Sequence, residues 1–206
     1  MNDISISNIN KSLVSRGQFE FFGLSMTQVP DALVKISTLL QISSPSLILE
    51  FGTGYGGLTV LLNLYSKIKK CKFISYDVCE HRKDILEIIK PNFKLAELNN
   101  PEVISEITQL IKENTVGQSI LFCDALKSEE AKRYAKYLKS GDIILIHDYH
   151  ATNNPVNWLS MCGKYGWTAN QEQYLELFKD IIINDGIQPA FHDEFEDVLW
   201  FCGVKK

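Results

Sequence analysis

Short apolar runs alternate along the chain with longer segments in which apolar residues recur every three or four positions. The runs have the length of strands, and the periodic segments have the spacing of amphipathic helices. Seven runs are predicted as strands: Leu47–Phe51, Lys72–Asp77, Phe93–Leu98, Ser119–Asp124, Asp142–Asp148, Ile187–His192 and Asp197–Gly203. Strands that alternate with helices are typical of an α/β sheet that is mostly parallel and has helices on both faces.

The predicted helices have recognisable ends. Asn100 and Pro101 begin one of them, as its cap and its first residue, and Ser128 begins another that Gly141 ends. The last two strands are separated by only a few polar residues, which cannot hold a crossover helix, so they are predicted to form an antiparallel hairpin. No linker divides the chain. The sequence therefore predicts a single Rossmann-like domain over residues 1–206, with five parallel strands followed by a hairpin.

A glycine-rich loop, EFGTGYGG from Glu50 to Gly57, connects the first predicted strand to a helix. Its glycines satisfy two fingerprints. Gly52, Gly54 and Gly57 fit the G-x-G-x-x-G pattern of dinucleotide binding, in which an acid about 20 residues further on binds the ribose. Gly52, Gly54 and Gly56 equally fit the acid-x-G-x-G-x-G loop that binds S-adenosylmethionine.

The charge of Glu50 separates these two interpretations. A pyrophosphate over this turn would lie near the Glu50 carboxylate, which is an unfavourable pair in a partly dry site. S-adenosylmethionine instead carries an ammonium and a sulfonium, which a carboxylate attracts. Asp77, at the end of the next strand, would accept hydrogen bonds from the ribose hydroxyls of either ligand. We therefore predict an S-adenosylmethionine site. The alternative is an NAD-linked oxidoreductase that uses the same loop, and a purely structural interpretation is a glycine-rich turn that binds no ligand.

The segment GLSMTQVPDALVKISTLLQISSPSLILEFGTGYGGLTVLL resembles class I S-adenosylmethionine-dependent methyltransferases. It is similar to the start of small O-methyltransferases of the cephalosporin hydroxylase/rhamnosyl methyltransferase and catechol-type group. There, a Gln-x-Pro segment precedes a helix and a strand ends in Glu-x-Gly-Thr-x-x-Gly-Gly. The resemblance implies an enzyme that methylates an oxygen of a small molecule. The cofactor-binding positions that it implies are Glu50, Gly52, Thr53, Gly54, Gly56, Asp77 and Glu97.

Two acids, Asp124 and Asp148, end the fourth and fifth predicted strands. At the carboxyl ends of parallel strands they would face the cofactor, and their oxygens suit Mg²⁺. The resemblance implies a metal set of Asp124 with the His147–Asp148 pair. His147 and Lys127 depart from the family pattern, in which a carboxylate and a histidine are usual, and the ammonium of Lys127 would repel a cation. A magnesium site and a structural role for the two acids as caps of turns therefore both stay open.

Two further expectations concern the acceptor. His150 is the candidate general base, because an imidazole titrates near neutral pH. Residues 149–170 are predicted as a substrate lid and residues 1–30 as an N-terminal cap segment. So little chain for recognition favours a compact acceptor, or a pocket completed by a second subunit in a homodimer. The departures at Lys127 and His147 also leave open a methyltransferase-like binding protein without catalysis.

Charge, cysteine spacing and the lengths of the apolar runs limit the kinds of partner and the cellular location that the sequence predicts. The formal net charge is −4, which argues against nucleic acid as a partner. The five cysteines form no CxxC pair, as expected of a reducing compartment. The N-terminus lacks the apolar stretch of a signal peptide, and no apolar run has the length of a membrane span. The sequence thus predicts a cytoplasmic protein that acts on a small molecule and not on a membrane.

Overall fold

A seven-stranded sheet forms the centre of the fold. The computed structural model describes residues 19–21, 24–26, 28, 30–80, 92–148, 180–191, 195 and 198–206. A separate two-stranded sheet precedes the central sheet in the chain and consists of β1 (Phe19–Phe21) and β2 (Leu24–Met26). The strands of the central sheet are β3 (Pro45–Phe51), β4 (Lys72–Asp77), β5 (Phe93–Leu95), β6 (Gln118–Cys123), β7 (Ile143–His147), β8 (Ile187–Pro189) and β9 (Trp200–Lys205).

The strands of the central sheet follow the order β5-β4-β3-β6-β7-β9-β8. The first five are parallel, whereas β9 runs antiparallel to both β7 and β8. This confirms the predicted α/β class, with its parallel strands and its C-terminal hairpin. The chain leaves β3 towards β4 on one side and later returns to β6 on the other. In open α/β sheets, ligands bind beyond the carboxyl ends of the strands at such a switch point.

Helices cover both faces of the sheet. The helices whose bounds lie within the described residues are α1 (Pro30–Ile42), α2 (Gly57–Lys69), α3 (Pro101–Glu113) and α4 (Ser128–Tyr134), and a 3₁₀ turn (Ala135–Tyr137) follows α4. The start of α3 is as predicted, because the Asn100 side chain accepts a hydrogen bond from the N–H of Glu102 at 2.8 Å. Pro101, which has no N–H to satisfy, takes the first helical position.

The core consists of two clusters of buried side chains, one on each face of the sheet. Successive side chains of a strand point to opposite faces, so Leu49 of β3 belongs to one cluster and Ile48 to the other. Ile107 of α3 joins Leu49, and α4 covers the same face. Leu40 of α1 and Leu62 of α2 join Ile48. By the same alternation Glu50 faces the second cluster, which places a carboxylate under α1 and α2.

Several predicted boundaries differ from the structure. The strand predicted as Phe93–Leu98 ends at Leu95, because the N–H of Asn100 then bonds the carbonyl of Glu97 in a turn at 2.9 Å. The helix predicted from Ser128 to Gly141 ends at Tyr134 and continues only as the 3₁₀ turn. Strands β1 and β2 were not predicted, since three residues are too few to show an alternating pattern.

Three predicted features fall largely outside the described residues. They are His150, the lid over residues 149–170 and most of the cap segment over residues 1–30. These stay predictions. In the part of the chain that the structure describes, no helix is long and apolar enough to cross a membrane.

Candidate functional site

The glycine loop between β3 and α2 lies against both neighbouring strands. The N–H of Gly52 donates to the carbonyl of Tyr76 on β4 at 2.8 Å, and the φ of Gly52 is 98°. A Cβ at this position would lie 2.9 Å from backbone atoms of Asp124 and Ala125. Only glycine fits this conformation and this contact without displacing the backbone. The loop therefore crosses the end of β6, and this brings Asp124 beside it.

Gly54 lies at the exposed tip of the loop. Its φ is 51°, and a Cβ there would meet nothing within 4 Å. Its N–H donates to the Asp77 carboxylate at 3.0 Å. Next to it, the hydroxyls of Thr53 and Ser75 share a hydrogen bond at 2.7 Å, and Gly56, with a φ of 85°, precedes α2. The loop is thus held to β4 while the space beside Gly54 stays open to a ligand.

Glu50 is a buried carboxylate behind this loop. It is 1% exposed, and neither of its oxygens has a hydrogen-bond partner among the described residues. Burial raises the pKa of Glu50 to about 8, and the charges of Asp124 and Asp77 act in the same direction. The nearby hydroxyls of Ser75 and Thr59 lower this pKa only in part and make no hydrogen bond of good geometry with the carboxylate. A carboxylate in such surroundings is costly to ionise unless a cationic group pairs with it.

Asp77 ends β4 beside the loop and is buried. Its two carboxylate oxygens accept hydrogen bonds from the N–H groups of Gly54 and Cys79, both at 3.0 Å. These contacts hold the carboxylate at the end of β4, against the glycine loop. Glu97 is exposed in the turn between β5 and α3, at the carboxyl end of the neighbouring strand. The structure thus brings Asp77 to the loop and leaves Glu97 further along the same sheet edge.

The three residues predicted as metal ligands meet beyond the ends of β6 and β7. His147 Nδ1 lies 2.7 Å from Asp124 Oδ1 and 3.4 Å from Asp148 Oδ1. The imidazole packs on the indole of Trp200, with 4.6 Å between the ring centroids, and this fixes the orientation of His147.

Two further side chains reach these carboxylates. The ammonium of Lys127 pairs with Asp148 Oδ2, and Gln28 Nε2 donates to Asp124 Oδ2 at 2.8 Å. The set is named the carboxylate cluster below and consists of Gln28, Asp124, Lys127, His147 and Asp148. Sequence reasoning noted Gln28 only as part of the Gln-x-Pro pattern. Its contact with Asp124 was missed, because 96 positions separate the two residues.

The charges within the carboxylate cluster compensate one another. Burial would lower the pKa of Lys127, but the carboxylates of Asp148 and Asp124 outweigh burial and raise this pKa. The pKa of His147 is raised in the same way, since Asp124 and Asp148 outweigh the burial that would lower it. Both cationic forms are therefore favoured next to the two aspartates, and the cluster is stabilised by groups of the protein itself.

This arrangement does not fit Mg²⁺. Magnesium prefers oxygen ligands in near-octahedral geometry, whereas one of the three predicted ligands is an imidazole and an ammonium lies against another. No group of three or more His, Cys, Asp or Glu side chains within the described ranges is placed to hold a metal ion. The magnesium interpretation of Asp124, His147 and Asp148 stays a prediction.

Glu130 fixes the backbone that carries Lys127. It is fully buried at the start of α4, and its two oxygens accept the N–H groups of Leu126 and Lys127, each at 3.0 Å. The sequence pattern predicted the helix start at Ser128 and gave no further role to Glu130. The spacing of Glu130 three residues after Lys127 is the local signal that could have indicated this contact.

Comparison with known proteins gives the family. A family model described as rhamnosyl O-methyltransferase/CmcI matches residues 14–192, which is well over half of the chain. The chain belongs to this family. The resemblance drawn from the glycine loop is thereby confirmed, and so is the enzyme class, a methyltransferase. A search among curated proteins gave no match.

Solved structures of CmcI have the same fold as this family member. The apo structure of CmcI is 17% identical in sequence to this chain, with a TM-score of 0.63, and the match covers 91% of this chain and 76% of the CmcI chain. A CmcI structure with Mg-SAM is also 17% identical, with a TM-score of 0.54, and the match covers 90% of this chain and 76% of that one. At this identity the likeness establishes the fold, which agrees with the sheet order given above.

Proposed function

We propose that this protein transfers the methyl group of S-adenosylmethionine to an oxygen of a small-molecule acceptor. The observation that carries the proposal is Glu50, a buried carboxylate without a hydrogen-bond partner among the described residues, behind an open glycine loop in a methyltransferase family member. When bound, S-adenosylmethionine supplies an electrophilic methyl on a sulfonium. The protein gives the Glu50 carboxylate no hydrogen-bond partner among the described residues, so a bound cationic ligand would favour its ionised form.

The residues of the loop have the chemistry that such a ligand needs. Gly54 leaves open a space that a Cβ would enter, and Thr53 and Gly56 complete the turn around it. Gly52 keeps the loop against the end of β6, next to Asp124. Asp77, held beside the loop by the N–H groups of Gly54 and Cys79, is assigned to the ribose hydroxyls, and the exposed Glu97 to the adenine end. The protein thus contributes binding and orientation of the cofactor, which is most of what methyl transfer asks of it.

NAD fits the same loop less well. Its pyrophosphate would bring further negative charge towards Asp77 and Asp124, whose charges already help to raise the pKa of Glu50. A family of O-methyltransferases gives no support to an oxidoreductase. The charge around the loop therefore favours the cationic cofactor.

Acceptor recognition is assigned to segments outside the described residues. In this proposal a single domain carries the cofactor site, residues 149–170 close over the acceptor, and the segment before α1 caps it. The contact of Gln28 with Asp124 supports the last point, because it ties that segment to the carboxylate cluster. His150 is the proposed base for the acceptor oxygen. A compact acceptor and a cytoplasmic location complete the proposal, with a homodimer as the arrangement that would enlarge the pocket.

Isothermal titration with S-adenosylhomocysteine tests the cofactor site. We expect one site in the wild type, binding weakened at least about tenfold in Gly54→Ala, and a loss of similar size in Asp77→Ala. Gly186→Ala is the matched control, since Gly186 also has a positive φ, 65°, and nothing within 4 Å of an added Cβ. Equal binding by Gly54→Ala and Gly186→Ala would contradict the assignment of the loop.

A further inference from the structure

The ammonium of Lys127 lies where the carboxylate cluster would otherwise offer its oxygens to a cation. All four oxygens of Asp124 and Asp148 face a nitrogen of the protein. Asp124 Oδ1 and Oδ2 lie 2.7 Å from His147 and 2.8 Å from Gln28. Asp148 Oδ1 lies 3.4 Å from His147, and its Oδ2 pairs with Lys127.

We propose that Lys127 replaces a divalent cation at this site and that the protein is a metal-independent methyltransferase. This proposal rests on the proposed function. It adds that the positive charge next to the acceptor comes from the Lys127 side chain and not from a metal ion. A point charge among two carboxylates repels a second cation at the same place. The cluster is therefore closed to Mg²⁺ as long as the Lys127–Asp148 pair is intact.

The backbone conformations of Lys127 and Asp148 are a second observation in favour of a built contact between the two residues. Lys127 has a φ of 50° and Asp148 a φ of 58°, so two residues other than glycine are held in the left-handed region and contact each other through their side chains. Such conformations persist where the surroundings enforce them, and they concentrate at functional sites. Glu130 provides that enforcement for Lys127, through its hydrogen bond to the Lys127 N–H.

An ammonium can also do part of the work of a metal ion. It has three N–H donors, and the contact with Asp148 uses one of them. The others suit an acceptor oxygen, which they would orient while Lys127 keeps its proton. Lys127 is thus a positioning residue for the acceptor, in addition to its role in neutralising Asp148.

Binding of Mn²⁺, followed by the loss of the electron paramagnetic resonance signal of the free ion, tests the proposal without an acceptor. The wild type is expected to bind no Mn²⁺ at the cluster over the concentrations tested. Lys127→Ala removes the ammonium from Asp148, so we expect this variant to bind Mn²⁺ with a dissociation constant at least about tenfold below the highest concentration at which the wild type shows no binding. Lys127→Gln, which keeps most of the side chain, serves as the second variant if Lys127→Ala does not unfold cooperatively.

Two variants serve as controls. Lys132→Ala removes an exposed lysine of α4 that lies 3.7 Å from Asp180, away from the cluster, and should bind Mn²⁺ no better than the wild type. Lys127→Arg keeps the charge and should likewise stay closed to the ion. Stoichiometric Mn²⁺ binding by the wild type that Asp148→Asn abolishes would overturn the proposal. So would Lys127→Ala and Lys127→Gln variants that gain no binding.

Titration of the same wild-type sample with S-adenosylhomocysteine separates this proposal from the proposed function. If the ligand does not bind but Lys127→Ala gains Mn²⁺, the cofactor assignment is wrong and the replacement of the cation stands. If the ligand binds and Lys127→Ala gains nothing, the cofactor assignment stands and the role of Lys127 is wrong.

Discussion

At the scale of single residues, the buried Glu50 makes folding stability depend on pH. Its pKa is about 8 in the folded protein and near 4.5 when exposed, so between these values the folded state holds a proton that the unfolded state has released. A raised pKa gives stability that is fully present below about pH 4.5 and is lost as the pH rises through about 8. The free energy of unfolding of the ligand-free protein should therefore fall across this interval.

Glu50→Gln removes this dependence. Urea unfolding measures the free energy of unfolding of both proteins. As the pH rises through the interval, this free energy should fall by a few kcal/mol more in the wild type than in Glu50→Gln. The comparison uses the difference between the two proteins because two other groups change stability in the same direction in both. The pKa of Glu130 is also raised to about 8 by burial, and the pKa of His147 is raised by Asp124 and Asp148 against the effect of burial. Glu97→Gln, at an exposed position, should follow the wild type. Parallel curves for wild type and Glu50→Gln would mean that Glu50 titrates normally.

At the scale of elements, the connection from β6 to α4 depends on Glu130. Burial raises the pKa of Glu130 to about 8, so the comparison is made at about pH 9, where the carboxylate is ionised. There Glu130→Gln replaces one of two acceptor oxygens by an amide that faces an N–H donor, so we expect a loss of about 1–2 kcal/mol in the free energy of unfolding. Urea unfolding measures it, with Glu129→Gln as the control, since Glu129 is exposed in the same turn. A loss of equal size in both variants would point to the helix dipole and not to the two hydrogen bonds.

The elements of this fold differ in how far local sequence determines them. Apolar runs predicted β3, β4, β6 and β7, because a strand buried on both faces has no polar face. Asn100 marked the start of α3, because a cap acts within three residues. The Lys127–Asp148 pair depends on the register of two strands and on φ values that the sequence does not reveal. The same holds for Gln28, whose partner is 96 positions away. The glycine loop was therefore predictable from the sequence. The contacts of Lys127 with Asp148 and of Gln28 with Asp124 were not.

At the scale of the whole molecule, a cofactor that binds only the folded state should raise the unfolding temperature. At 100 times its dissociation constant, S-adenosylhomocysteine would add about 2.7 kcal/mol, or roughly 5–10 °C for a protein of this size. NAD should give no shift. With Asp77→Ala, whose binding we expect to be about tenfold weaker, the shift at the same concentration of S-adenosylhomocysteine should fall to about half of the wild-type shift. Differential scanning fluorimetry measures all three. An increase with NAD alone would favour the oxidoreductase that the charge of Glu50 argues against.

The position of β9 has a consequence for synthesis of the protein. β9 lies between β7 and β8, although it follows both in the chain, and its Trp200 supports His147. Chains growing at about 5–20 residues per second therefore expose the edge of β7 until residues 200–205 have left the ribosome. During that interval the unpaired N–H and C=O groups along the edge of β7 are open to pairing with strands of other chains. The carboxylate cluster then gains its final shape only after translation has passed β9.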